Sequence, residues 1–209
     1  MRTPRDPEEI ERIRNVILDQ ALDIIIREGL DDLTMRNLAG RVGMTAPNIY
    51  NYYSGKDEIY LSLVVKGFEM LHAALGKARG GHRNRKARAR AMIEAYIRFG
   101  IDHSRYYDIM FVLPTPKHDD YRGTPHEQLS ATELRISMEI AAMAADMIRE
   151  MVDKETDDST VLRRLIQVWS LLHGMVSLHN SKVAAYVAED LPEIYRRTAD
   201  ELISLTGRM

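Results

Sequence analysis

No cysteine occurs among the 209 residues, which excludes a disulfide framework and any thiolate metal site and fits a reducing compartment. No run of eighteen uninterrupted apolar residues is present, so nothing reads as a membrane span. The opening residues are rich in arginine and acid and lack the apolar stretch of an export signal. The expectation is a cytoplasmic protein with no membrane partner. Neither sign of charge dominates, since 29 Lys and Arg stand against 31 Asp and Glu for a net charge of −2. Such a chain cannot coat nucleic acid electrostatically, and any contact with it has to come from a local basic patch.

Signals of catalysis are missing too. The histidines at 72, 82, 103, 118, 126, 173 and 179 include no pair at the spacing that places two ligands on one helix face. His118-Asp119-Asp120 is the nearest thing to a metal cluster and reads as a solvated loop. There is no phosphate-binding glycine loop and no nucleophile elbow. No catalytic residues, no metal and no cofactor are expected, and the chain does not read as an enzyme. Convincing alternation of period two is absent as well, while apolar spacings of three and four recur throughout, so the fold class is all-α.

One stretch stands out, Leu33 to Lys56. Thr34 is placed as the N-cap of a short helix over Met35 to Arg41, Gly43 supplies a turn, and Thr45 opens a second helix with Pro47 in its first turn. The second helix is expected to end near Ser54-Gly55, the glycine being suited to a left-handed terminus. Leu38, Ala39, Val42, Met44 and Ile49 would lock the pair together, leaving Ala46, Asn48, Asn51 and Tyr52 pointing outward. This is helix-turn-helix grammar. The window holds Arg36, Arg41 and Lys56 with no Asp or Glu between Leu33 and Lys56, as a surface meeting phosphates requires. The bland alternative is a polar helical hairpin on some all-α protein.

Around that stretch the helices are long. Asp6 caps a first helix with Pro7 at its first position and Glu9 near the position that closes a capping box. Ile10, Ile13, Ile17, Ala21 and Ile24 line one face, and Gly29 ends it. A helix from Lys56 to about Lys77 follows. A basic run, Lys77, Arg79, Arg83, Arg85, Lys86, Arg88 and Arg90, flanks the break at Gly80-Gly81. Without interleaved aromatics it reads better as a solvated lead-in than as a second nucleic-acid patch. A helix from about Arg88 to His103 follows, then a connection from Pro114 to Pro125 that is expected to be mobile. Three long helices close the chain, over 126–152, 159–178 and from 190 onward. The second of these is apolar round much of its circumference and needs partners on more than one side.

The elements Thr34, Leu38-Ala39, Gly43, Tyr50, Tyr53 and Lys56 resemble the signature of the tetracycline-repressor (TetR) family of bacterial transcription regulators, over residues 10 to 65. The segments 104–111 and 169–174 are similar to one large branch of that family, with a Trp/His-Gly sequence in the C-terminal domain. Ala46-Pro47 departs from the small residues or glycine that many members carry at the start of the recognition helix.

The resemblance implies a helix-turn-helix DNA-binding domain over 1–56 and a helical ligand-binding and dimerisation domain over 57–209. Its partners would be double-stranded DNA, a small-molecule effector and a second copy joined through the last two long helices. In the head, chemistry suits Asn48 to adenine and Arg36 to guanine, with Ala46 and Pro47 against a thymine methyl. Thr34, Thr45, Tyr50, Tyr52 and Lys56 would bind phosphates as their family counterparts do, Asn51 would face the DNA, and Tyr53 would be core. Arg2 and Arg5 are candidates for the minor groove. Tyr96, Phe99, His103, Met110, Phe111, Met143, Met147, Trp169 and His173 are the candidate effector lining, plain core being the competing reading. Whether Trp169 and His173 face the effector or the dimer seam stays open. A regulator without a small-molecule ligand, architectural or protein-responsive, is the alternative function.

Overall fold

The structure is a computed structural model that describes residues 6–152 and 155–206. Arg2 and Arg5, expected at the minor groove, lie outside the described residues. Among those described, nine α-helices and short 3-10 and π turns account for the regular structure, with no strand: α1 (Pro7–Glu28), α2 (Met35–Arg41), α3 (Ala46–Ile49), α4 (Lys56–Gly80), α5 (Arg85–Asp102), α6 (Ser104–Tyr107), α7 (Glu127–Met151), α8 (Asp158–Asn180) and α9 (Leu191–Thr206). Chain contacts divide them into two compact units, Met1–Phe68 with Arg105–Leu134, and Glu69–Ser104 with Arg135–Met209. Helix α4 contributes to both. It is long and apolar enough to cross a bilayer by length and composition, yet more than half of the relevant window is buried inside the protein, as in a core helix.

In the first unit the core forms where the apolar stripe of α1 (Ile17, Ala21, Leu22, Ile24 and Ile25) meets Leu38 and Ala39 of α2, Ile49 of α3 and Ile59, Leu61 and Leu63 of α4. Burial of this kind contributes roughly 1.5–3 kcal/mol per large side chain before entropy is subtracted. The segment after α5 joins the same core. A π turn over Asp108–Val112 packs on α1 and buries Ile109 and Met110. Phe111 meets Phe68 edge to face, ring centres 5.6 Å apart. At Gly67 a Cβ would sit 2.5 Å from Met110 Sδ, so the close approach there depends on glycine.

Residues 114–125 are not the loose connection their composition suggests. The Tyr60 hydroxyl donates to the Pro116 carbonyl at 3.1 Å, and the Lys117 amide donates to Asp120 at 2.8 Å. Thr115 and Tyr121 are buried, and His118 Nδ1 lies 3.0 Å from Oγ of the fully buried Ser130. Proline, glycine and aspartate here mark turns, with Gly123 at φ +71°.

In the second unit α5 packs on α8 and α9 through Met92, Tyr96, Ile97 and Phe99, and Asn180 ties the end of α8 to the Gly100 carbonyl at 3.0 Å. Asn84 caps α5, accepting from the amides of Lys86 and Ala87. The basic run finds acids nearby. Arg79 lies 3.6 Å from Asp146 and 3.6 Å from Glu150, Arg88 pairs with Glu150, and Arg90 pairs with Asp200. Those charges fasten α4 and α5 to α7 and α9, which favours the structural reading of the run.

Candidate nucleic-acid interface

Helix α2 begins where Thr34, in extended conformation, accepts the Asn37 amide at 3.0 Å through its hydroxyl. Gly43 turns the chain with φ +69°, a conformation that disfavours any side chain, and the Met44 amide returns to the Ala39 carbonyl at 2.9 Å. Thr45 then stands extended ahead of α3, but its hydroxyl makes no capping bond, in contrast to Thr34.

Helix α3 is shorter than expected. It ends at Ile49, whose carbonyl accepts both the Tyr52 amide at 2.9 Å and the Tyr53 amide at 3.2 Å. A turn closed at three residues advances the chain faster than an α-helix, and it carries Tyr52 inward beside Tyr53. Tyr52 is only 6% exposed, so the outward orientation expected for it is corrected. Its carbonyl accepts Arg14 Nη1 at 2.6 Å, and the same guanidinium lies 4.1 Å from the centre of the Tyr53 ring. Burial pushes the Tyr53 hydroxyl up to about 12. Gly55 is not left-handed. That position belongs instead to the start of α4, where the Glu58 carboxylate accepts from the amide and hydroxyl of Ser54, each at 2.7 Å.

Thr34, Arg36, Thr45, Pro47, Tyr50, Asn51 and Lys56 are exposed on this head, and Ala46 and Asn48 are half-buried. Asn51 Nδ2 donates to Asn48 Oδ1 at 3.0 Å, which orients the Asn48 carboxamide and leaves its own amide group to donate elsewhere. Thr34, Arg36, Asn37, Gly40 and Arg41 line an open groove of about 570 Å³. Arg41, counted as free positive charge from its window alone, pairs with Asp23 at 3.3 Å and with Glu28, both on α1. Those acids lie outside the acid-free window, so spacing within it gave no sign of them.

The residues suggested as an effector lining divide between the units. Met110 is buried and Phe111 half-buried in the first. In the second, Tyr96, Phe99 and Met147 are buried, Met143 and His173 half-buried, and His103 is exposed at the C-cap of α5. Trp169 is 43% exposed and donates its indole N–H to the Tyr96 hydroxyl at 3.0 Å. Sequence reasoning missed Arg164, which is buried on α8, because a charged residue in a helix pattern reads as solvent-facing.

A family model described as bacterial regulatory proteins, tetR family, matches residues 17–63, and one described as tetracyclin repressor-like, C-terminal domain, matches residues 89–202. The HTH-type transcriptional activator FasR of Mycolicibacterium smegmatis is 24% identical over 191 residues, covering 91% of this chain and 77% of that one. Solved structures share the fold, among them two regulators by name. The TetR family transcriptional regulator PfmR of Thermus thermophilus superposes with a TM-score of 0.69 at 18% identity, over 91% of this chain and 95% of its own. The fatty acid degradation regulator FadR of Bacillus halodurans does so with a TM-score of 0.69 at 12% identity, over 96% and 97%.

Proposed function

This chain belongs to the tetracycline-repressor family of bacterial transcription regulators, and we propose that it binds a palindromic operator as a homodimer and is released from it by a small molecule. The observation that carries the DNA reading is the segment of α2, α3 and the following turn, which carries no acid of its own and has Arg36, Tyr50 and Asn51 exposed on it, with Lys56 exposed at the start of α4. Asn48 reads adenine with paired donor and acceptor, and Arg36 reads guanine at O6 and N7, each worth about 1–3 kcal/mol of discrimination. Ala46 and Pro47 meet a thymine methyl, while Thr34, Thr45, Tyr50 and Lys56 hold phosphates and Asn51 steadies Asn48. Tyr52 is left out of this set because its side chain is core.

Residues 1–56 act as the reading head and 57–209 as the sensing and dimerising part. Two heads about 34–36 Å apart read successive major grooves, which a single head cannot do. The dimer is expected to form through α8 and α9, where Leu162, Ile166, Trp169, Leu171 and Leu178 of α8 and Ile194 of α9 are each more than two-fifths exposed. The effector is a small, largely apolar molecule held by side chains such as Tyr96, Phe99, Met143, Met147 and His173. One structural neighbour is named for fatty acid degradation, which accords with that class. A ligand switches the protein only if it binds one arrangement better than the other. Helix α4, which has residues in both units, is the natural lever. The working compartment is the cytoplasm, and repression is the default sign, although FasR is named an activator.

The test begins with selection of bound duplexes from a random DNA pool. Lys56→Ala should then weaken binding to all sequences and reduce the salt slope by about 1, whereas Asn48→Ala should relax preference at one base pair. An unchanged preferred sequence in Asn48→Ala would remove the base-reading role. Salt-steep but sequence-blind binding by the unmodified protein would favour an architectural function instead.

A further inference from the structure

On α1, one carboxylate serves three arginines. Asp23 Oδ1 lies 2.8 Å from Arg27 Nε one turn along the same helix and 3.9 Å from Nη1 of Arg105 in α6, and its Oδ2 lies 3.3 Å from Nη1 of Arg41 at the end of α2. Two further acids of α1 complete the network, with Glu28 on Arg41 and Asp19 at 3.4 Å from Arg105. All these groups are part-exposed, so each pair is weak and partners exchange at little cost. Arg41 has a second neighbourhood. It lines the same open groove as Thr34 and Arg36, beside the surface assigned to phosphates.

A guanidinium already neutralised by carboxylates adds little to phosphate binding, because the gain there comes from releasing counterions from DNA and depends on free positive charge. We propose that Asp23, shared between Arg41 of α2 and Arg105 of α6, sets how much of the Arg41 charge is available to a DNA phosphate. This rests on the DNA-binding reading above and adds a point of control to it. The α1 carboxylates hold Arg41 back, and Arg105 draws on the same oxygen pair, so the position of residues 104–107 is felt at the end of α2. A purely structural role, in which the pairs only fasten α2 to α1, makes the opposite forecast: loosening them disturbs the head and weakens binding.

The measurement is binding of the full chain to a fluorescent duplex from the random pool and to a scrambled duplex, between 50 and 200 mM salt. Asp23→Asn and Glu28→Gln should each bind more tightly at low salt on both duplexes. Their slopes should be steeper by up to about 0.9 per phosphate gained, so the advantage shrinks about 3.5-fold across that salt range. Both gains should vanish in an Arg41→Ala background. Asp31→Asn, a change of equal charge outside the network, should give neither. Arg105→Ala should weaken binding about twofold in the unmodified chain, as Asp23 closes on Arg41, and should have no effect beside Asp23→Asn. Slopes equal to that of the unmodified protein, weaker binding, or a gain that survives Arg41→Ala would overturn the proposal. Absence of any duplex binding by the unmodified protein would instead overturn the DNA-binding reading beneath it.

Discussion

Thr34 and Thr45 occupy the same formal place ahead of two neighbouring helices, and only one of them caps. Thr34 satisfies the Asn37 amide, while the Thr45 hydroxyl has no capping partner and is free to meet a ligand. The chemistry of the side chain is identical, so the difference is one of employment. Thr34→Ala is expected to lower unfolding stability by about 1 kcal/mol, the usual cost of losing such a cap. Thr45→Ala should leave stability within about 0.5 kcal/mol of the unmodified protein and weaken duplex binding. Urea unfolding and a binding titration on both variants make the comparison, and equal destabilisation would mean that Thr45 caps after all. The adjacent tyrosines make a similar point, since Tyr50 faces solvent while Tyr52 and Tyr53 are core.

At the level of elements, what could be read from the sequence was whatever is decided locally. Caps and stops are short-range chemistry, so Asp6, Thr34 and Gly29 fix the ends of α1 and the start of α2 where the pattern puts them. The end of α3 was not legible, because the turn after Ile49 is held by Arg14 of α1, which donates to the Tyr52 carbonyl from thirty-eight positions away. The order of residues 114–125 likewise comes from Tyr60 and Ser130, which no local window contains. Helix α9 offers an electrostatic case that is local and legible. Glu193 accepts from Arg196 and Arg197, each at 2.7 Å, and these hold its carboxyl down at about 2 against an ordinary 4.5. A depressed carboxylate contributes stability that is fully present above 4.5 and is lost as pH falls toward 2. Thermal melts should therefore show Glu193→Gln less stable than the unmodified chain above pH 4.5, with the gap closing as pH approaches 2. A gap independent of pH would assign the loss to packing or geometry instead.

For the molecule as a whole, the decisive fact is apolar surface left open to solvent. Leu162, Ile166 and Trp169 follow at spacings of four and three along α8, the helical repeat of a single face, and Ile194 of α9 is exposed too. Apolar stripes of that kind argue for a second copy over solvent, as the proposed two-headed reading of an operator requires. Ile166→Glu places a carboxylate in the middle of the stripe. Burying it unpaired costs several kcal/mol, enough to raise a dimer dissociation constant by about 100-fold or more. Sedimentation at micromolar concentration should then show a monomer, and preference for the selected palindrome should fall while weak, salt-steep binding persists. Trp169 is the sole tryptophan, one turn from the substitution, so its emission should move to longer wavelength as the face becomes wet. If Ile166→Glu instead sediments as a dimer and keeps its operator preference, the seam runs elsewhere, and the second exposed pair on α8, Leu171 and Leu178, becomes the place to introduce the charge.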